Sequence, residues 1–168
     1  HHSARTKTVS YLVSSPDTIT TYRHDLTSAN IDKSELDDVR DYFEMHKEEI
    51  KLDYKNNNNN RSMQKNTKLY QEAVISFGRE QFENCDQSEI QKSIEIFSDN
   101  FENKYGCKIL MTSLHLDEGH KAKDGTIEHN YHAHILIENY SFDTHKTTLR
   151  KLDYRKLQTD LAKDFEHL

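Results

Sequence analysis

The stretch HNYHAHILIEN, residues 129–139, places three histidines within six positions and then runs into an apolar segment. In a β-strand successive side chains alternate between faces, so His132 and His134 point one way while Ala133, Ile135 and Ile137 point the other. Upstream, KILMTSLHLDE (residues 108–118) has the same grammar, with His115 and Asp117 on one face and Leu114 and Leu116 on the other. The polar, glycine-containing GHKAKDGTIE joins the two strands, so they read as a hairpin with a long connection. If the apolar faces of both strands meet helices, His115, Asp117, His132 and His134 converge on the opposite side. Three neutral imidazoles on a rigid sheet can hold one divalent ion and leave positions open for water or substrate, which is a catalytic arrangement rather than a structural staple.

The rest of the chain surrounds this hairpin. TKTVSYLVSS, β-branched and aromatic and ended by Ser-Pro, reads as a first strand. ITTYRHDLTSANID is polar and turn-forming, a loop or short element. Ser34 can cap a helix through Ile50, with Leu36, Val39, Phe43 and Ile50 near one face, and the run Asn56–Asn60 reads as a flexible loop. LYQEAVISFG alternates as a second strand. Asp86 or Ser88 starts a helix with Ile90, Ile94, Phe97 and Phe101 on one stripe and Gly106 as its stop. Asp153 caps a last helix with Leu157, Leu161, Ala162 and Phe165 inward. The order β-α-β-α-β-β-α predicts an α+β domain, an antiparallel sheet with helices packed on one face.

At 168 residues the chain is long enough for one domain. HHS at positions 1–3 reads as a tag remnant and residues 4–168 as a single domain, expected to be the N-terminal part of a longer protein. No apolar run approaches the roughly 18 residues needed to span a bilayer, and no signal-peptide pattern follows the tag. Cys85 and Cys107 have no metal-binding spacing and are too few for a disulfide scaffold, so a reduced, cytoplasmic protein is expected.

The net charge is −6, and the segment from Glu80 to Glu102, with seven acids against Lys92, accounts for it. Elsewhere the charges balance, with basic clusters at Lys47, Lys51, Lys55, Arg61, Lys65 and Lys68 and at Lys146, Arg150, Lys151, Arg155 and Lys156. One acidic helix beside two basic clusters is compatible with a cationic groove for nucleic acid and with an ordinary mixed surface. No GxSxG, P-loop or GxGxxG motif is present.

SLHLDEG followed by NYHAHILIEN resembles the third motif of the HUH endonucleases, in which two histidines flank one residue and a third lies upstream. The combination of HLDE with a strand-borne HxH is similar to the plasmid mobilisation relaxases of the Pre/Mob (MobV) type. VSYLVSS resembles their N-terminal strand, NIDKS is similar to the loop after their first motif, and IEIFSDNFENKYGCKILMTSLHLDE resembles their acidic helix, turn and strand in order. The likeness is strong from 88 to 138 and thin before 70.

That resemblance implies an HUH relaxase fold and metal-dependent nicking of one DNA strand by transesterification, with a covalent 5′-phosphate adduct, for plasmid or mobile-element mobilisation. It makes His115, His132 and His134 the metal ligands and Glu118 the acid that assists the nucleophile, whereas strict alternation favours Asp117 as the site-facing carboxylate. It implies manganese or magnesium, while three nitrogens favour manganese, cobalt, nickel or zinc on softness. Single-stranded or hairpin DNA at an origin of transfer and accessory mobilisation proteins are the partners it implies. Arg23, Lys121, Lys123, Arg150 and Lys151 are the cations expected against the DNA, with the acidic helix facing away.

Two departures stand out. The family's short connection between HLDE and HxH is lengthened here by about ten residues, and its HNxR first motif is absent in that form. TYRHD is the nearest stretch, offering His24 or Tyr22 as nucleophile, with Arg23 to hold phosphate and Asp25 to orient a ring. Tyr154, with Gln158 one turn on, is the alternative that a replication-initiator or single-tyrosine transposase would use. A non-catalytic DNA-binding module and a metal-dependent hydrolase with a water nucleophile are the other classes this pattern admits.

Overall fold

Two neighbouring strands, β3 (Lys108–His115) and β6 (His132–Glu138), form the centre of the sheet and carry all three histidines. The computed structural model describes residues 11–14, 17–149 and 154–166. β1 (Thr18–Tyr22) pairs with β3, and β2 (Tyr70–Ser76) pairs with β6, so the sheet order is β1-β3-β6-β2 and every pairing is antiparallel. A short second sheet of β4 (Gly119–Lys121) and β5 (Ile127–His129) is the connection between the central strands. Gly119 is obligatory there: a Cβ would sit 2.1 Å from the Glu128 carbonyl oxygen.

The apolar half of the alternation forms the main core. Leu114, Ala133, Ile135 and Ile137 lie against Ile90, Ile94, Phe97 and Phe101 of α4 (Gln87–Tyr105) and against Leu157, Leu161 and Phe165 in and just beyond α5 (Tyr154–Asp164). Burial of each such side chain stabilises the fold by about 1.5–3 kcal/mol. α4 has the ends its sequence predicts. The Asp86 side chain accepts the Ser88 amide, and Gly106 closes the helix in the left-handed region at φ 65°. Ala162 does not share the inward stripe; it is exposed on α5.

Among the described residues, the other face is covered by helix only at one end. There α2 (Leu36–Asn57) lays Tyr42 and Phe43 against Met111, Leu136 and Tyr22. α2 begins after Ser34, whose amide and hydroxyl bond Asp32, and it continues through Asn57, so two of the five asparagines are helical and Asn58–Asn60 form its closing turn. The Leu36 side chain and Asp153 lie outside what is described.

The N-terminal strand expectation falls mostly outside the described residues. Of that stretch, Leu12 makes an isolated bridge with Glu118, and the strand that edges the sheet is instead Thr18–Tyr22, mostly from the segment that reads as a loop or short element. α1 (Asp25–Ser28) is a short element within ITTYRHDLTSANID, and α3 (Arg79–Asn84) is a short helix with no predicted counterpart. Among the described residues no helix is long and apolar enough to cross a membrane.

Candidate metal centre

Register brings the histidines together. His115 pairs with His132, and Ser113 pairs with His134, so all three imidazoles share the face opposite the main core. Their ring centroids are 5.0 Å (His115–His132), 5.0 Å (His115–His134) and 5.1 Å (His132–His134) apart, nearly an equilateral triangle. All three are buried.

An oxygen holds one nitrogen of each ring. The Asn130 carbonyl lies 2.7 Å from His132 Nδ1, Glu72 Oε1 lies 2.6 Å from His134 Nδ1, and Glu118 Oε1 lies 2.8 Å from His115 Nδ1. A carbonyl or carboxylate only accepts, so these contacts place the proton on Nδ1 and the lone pair on Nε2. Oxygen partners of this kind fix ring orientation and raise the basicity of a metal-ligating histidine. The second carboxylate oxygen of Glu118 faces His132 Nε2 at 3.7 Å. His115, Glu118 and His132 each offer a ligand atom, and these atoms lie within 4.8 Å of one another; His134, the third expected ligand, shares their face but is not in this group. Neutral imidazole nitrogens with one carboxylate suit a divalent first-row ion, and the oxygen donor widens the range toward manganese and magnesium.

The two candidate carboxylates separate. β3 ends at His115, so the alternation that would put Asp117 beside the histidines no longer operates. Asp117 instead accepts the Asp17 amide at 2.8 Å, and its own carbonyl accepts from Val13. It pins the chain entering β1, while Glu118 turns to the imidazoles. Glu72 was not legible as a site residue. Its only sequence signal is that it lies two positions before Val74, and only the β2–β6 register reveals that Val74 is opposite His134.

Tyr22 and His24 are not brought to the histidines. Thr18 is the residue of β1 opposite His115, whereas Tyr22 is opposite Met111, four residues and about 13 Å along the strand. Tyr22 packs with Leu26 and Met111, and burial raises its hydroxyl pKa. Beyond it, Arg23 pairs with Asp99 at 2.5 Å and His24 Nε2 with Glu102 at 2.7 Å, both on α4 and so on the opposite side of the sheet. His24 adopts φ 54°, a left-handed conformation that strains a non-glycine backbone. Tyr154 opens α5, which also packs on the far face; its side chain lies outside what is described.

Of the expected DNA contacts, Lys121 and Lys123 are exposed at the tip of the β4–β5 arm that begins directly after Glu118. Arg150 and Lys151 fall outside the described residues. The basic cluster on α2 is partly neutralised, because Lys47 pairs with Glu44 and Lys51 with Glu48.

A family model described as plasmid recombination enzyme, Mob_Pre, matches residues 16–167. No curated protein and no solved structure matches the chain.

Proposed function

We propose that this chain, which belongs to the Mob_Pre family of plasmid recombination enzymes, nicks one DNA strand at a divalent ion held by His115, His132 and His134 with Glu118. The observation that carries this reading is the near-equilateral triangle of buried imidazoles on the two central strands, with the Glu118 carboxylate against His115 and His132. Such an ion, when bound, neutralises and polarises the scissile phosphate. The chain's own residues do the rest. The Asn130 carbonyl, Glu72 and Glu118 hold the imidazoles in their ligating tautomer, and Lys121 and Lys123 draw the phosphate backbone to the arm beside them.

His24 is the nucleophile in this reading. Tyr22 is a core ring, whereas the His24 imidazole is half-exposed and has Glu102 as its side-chain partner, on a backbone with positive φ. Attack by a neutral imidazole nitrogen forms a P–N bond as the P–O3′ bond breaks. The electron pair leaves on O3′, which in net takes the remaining ring proton, and the DNA 5′-phosphate stays on His24. Reaching the histidine triangle requires release of His24 from Glu102 and of Arg23 from Asp99 and Glu102.

The test is a supercoiled plasmid carrying the protein's own mobilisation region, incubated with manganese or magnesium and scored for open circles and for a covalent adduct. The expected adduct is acid-labile, as a phosphoramidate is, and is absent in His24→Ala but present in Tyr22→Phe and Tyr154→Phe. An acid-stable adduct lost only in Tyr22→Phe or only in Tyr154→Phe reassigns the nucleophile, and nicking with no adduct replaces strand transfer by hydrolysis.

A further inference from the structure

Where β5 passes into β6, three rings lie nearly parallel in a row. Phe82 of α3 stacks on Tyr131 at 4.1 Å and 11°, and Tyr131 stacks on His129 at 5.3 Å and 3°. Rings in this arrangement attract one another beyond the area they bury. The row is rooted in the protein at Phe82, which packs on the main core and lies 5.6 Å from Phe77. His129 is its other end. Among the described residues the buried Nδ1 of His129 makes no hydrogen bond, so the stack and not that nitrogen orients the ring.

That end borders a cavity of about 520 Å³, lined by His129 together with Tyr11, Arg79, His120, Glu118 and Glu128, but by neither Tyr131 nor Phe82. Clefts of about 300–1,000 Å³ hold ligands of small-molecule size. Glu118 belongs to the cavity and to the metal centre alike, since its carboxylate lies 2.8 Å from His115 and 3.7 Å from His132. The Tyr11 carbonyl accepts from the Gly119 amide at 3.2 Å, which keeps that ring, 37% exposed, beside the arm. The charges here already have partners. Arg79 pairs with Glu83 at 3.1 Å and His120 with Glu128 at 3.0 Å, while Glu118 faces the imidazoles. A cavity whose cations are matched by carboxylates does not select a free anion. What it offers a ligand is the face of a ring.

We propose that this cavity receives an unpaired base of the DNA strand, stacked on His129 as the next ring in the row. Aromatic side chains hold single strands in this way, and they do so without regard to sequence because every base has a flat π-face. A base inside a duplex has both faces covered by its neighbours, so the platform selects single strand. Glu118 borders both places, and a phosphate at the ion and a base in the cavity therefore belong to neighbouring nucleotides. The platform stands where the connection between HLDE and HxH is lengthened, which gives the added residues a task. The inference rests on the DNA reading above and adds to it how the strand beside the cut is held.

Labelled oligothymidylate of about ten nucleotides, within the roughly 4–16 that single-strand grooves cover, is compared with an abasic oligonucleotide of the same length. The two carry the same phosphates and differ only in having bases. Fluorescence anisotropy with the whole protein is expected to favour oligothymidylate by about tenfold, the contribution of one stacked base. His129→Ala is expected to erase most of that preference by weakening oligothymidylate alone. His129→Phe, which keeps a flat ring and removes both nitrogens, is expected to retain it. Far-UV circular dichroism matching wild type identifies the folded variants. Wild-type affinities for the two oligonucleotides within about twofold overturn the platform with no variant needed. An unchanged preference in folded His129→Ala protein overturns it as well, and so does a loss in His129→Phe as large as in alanine. Binding of neither oligonucleotide overturns the DNA reading itself, whereas equal binding of both with intact metal-dependent nicking removes only the platform.

Discussion

Replacing Glu72 by alanine isolates the outer support of the metal centre from its ligands. Glu72 touches the site only through His134, whose Nδ1 lies 2.6 Å from its Oε1. Without that carboxylate the imidazole keeps its place on β6 but loses the group that fixes its tautomer and sharpens its basicity. Losing such a partner weakens metal binding by roughly 10–100-fold. The Glu72 side chain is 49% exposed, so water replaces part of the contact and the lower end of that range applies. A tenfold weaker site loses about 1.4 kcal/mol of metal-linked stabilisation at a fixed, saturating metal concentration, or roughly 3–6 °C in Tm for a chain of this size. Cobalt absorbance and thermal melts with and without metal measure both quantities. Glu72→Gln, which still offers an acceptor, should fall between wild type and alanine. The reasoning is refuted if Glu72→Ala binds metal as tightly as wild type, or if it lowers the melting point equally with and without metal, because the carboxylate would then serve the fold and not the site.

Ile135→Ala, at a position 1% exposed in the main core, should cost about 2–5 kcal/mol in denaturant unfolding without altering the ligand set. His46→Gln should cost about 2 kcal/mol at pH 6 and progressively less toward pH 9. The His46 pKa is raised in the fold by Glu138 first and Glu49 next, so its contribution is complete below the unfolded value near 6.5 and is lost as pH rises through the folded value; a penalty independent of pH would show that the ion pair is not its origin. Lys121→Ala with Lys123→Ala should flatten the log–log salt dependence of single-strand binding by about 1.4, at roughly 0.7 for each phosphate that a lysine no longer neutralises. An unchanged slope would mean that the β4–β5 arm does not meet the backbone.

What was legible in the sequence is what alternation and helical spacing can express within one element. His132 and His134 against Ala133, Ile135 and Ile137 define β6 and both of its faces, and Ile90, Ile94, Phe97 and Phe101 define the buried stripe of α4. Asp86 and Gly106 mark that helix's ends by cap chemistry that is local. What escaped depends on distances between elements. Strict alternation favoured Asp117, and it failed because β3 stops two residues short of it. The Glu72–His134 and His46–Glu138 contacts join residues 62 and 92 positions apart, and nothing periodic announces either.

The same reason explains where TYRHD lies. A strand that pairs antiparallel with β3 must run away from His115 if it begins opposite it, and β1 begins opposite it at Thr18. Each further residue adds about 3.3 Å, so by His24 the chain has left β1 and turned toward Asp99 and Glu102. The acidic helix α4 therefore holds the loop that carries Tyr22 and His24. A phosphate backbone offers Arg23 the same kind of partner that Asp99 does, so DNA that reaches this loop competes directly for it. If that competition is what frees His24, Asp99→Asn combined with Glu102→Gln, which removes both carboxylates that hold Arg23 and His24, should raise the nicking rate while leaving metal affinity at His115, His132 and His134 unaltered; a rate that stays the same or falls in a folded double variant would mean that the ion pairs to α4 are not what keeps the loop from the metal centre.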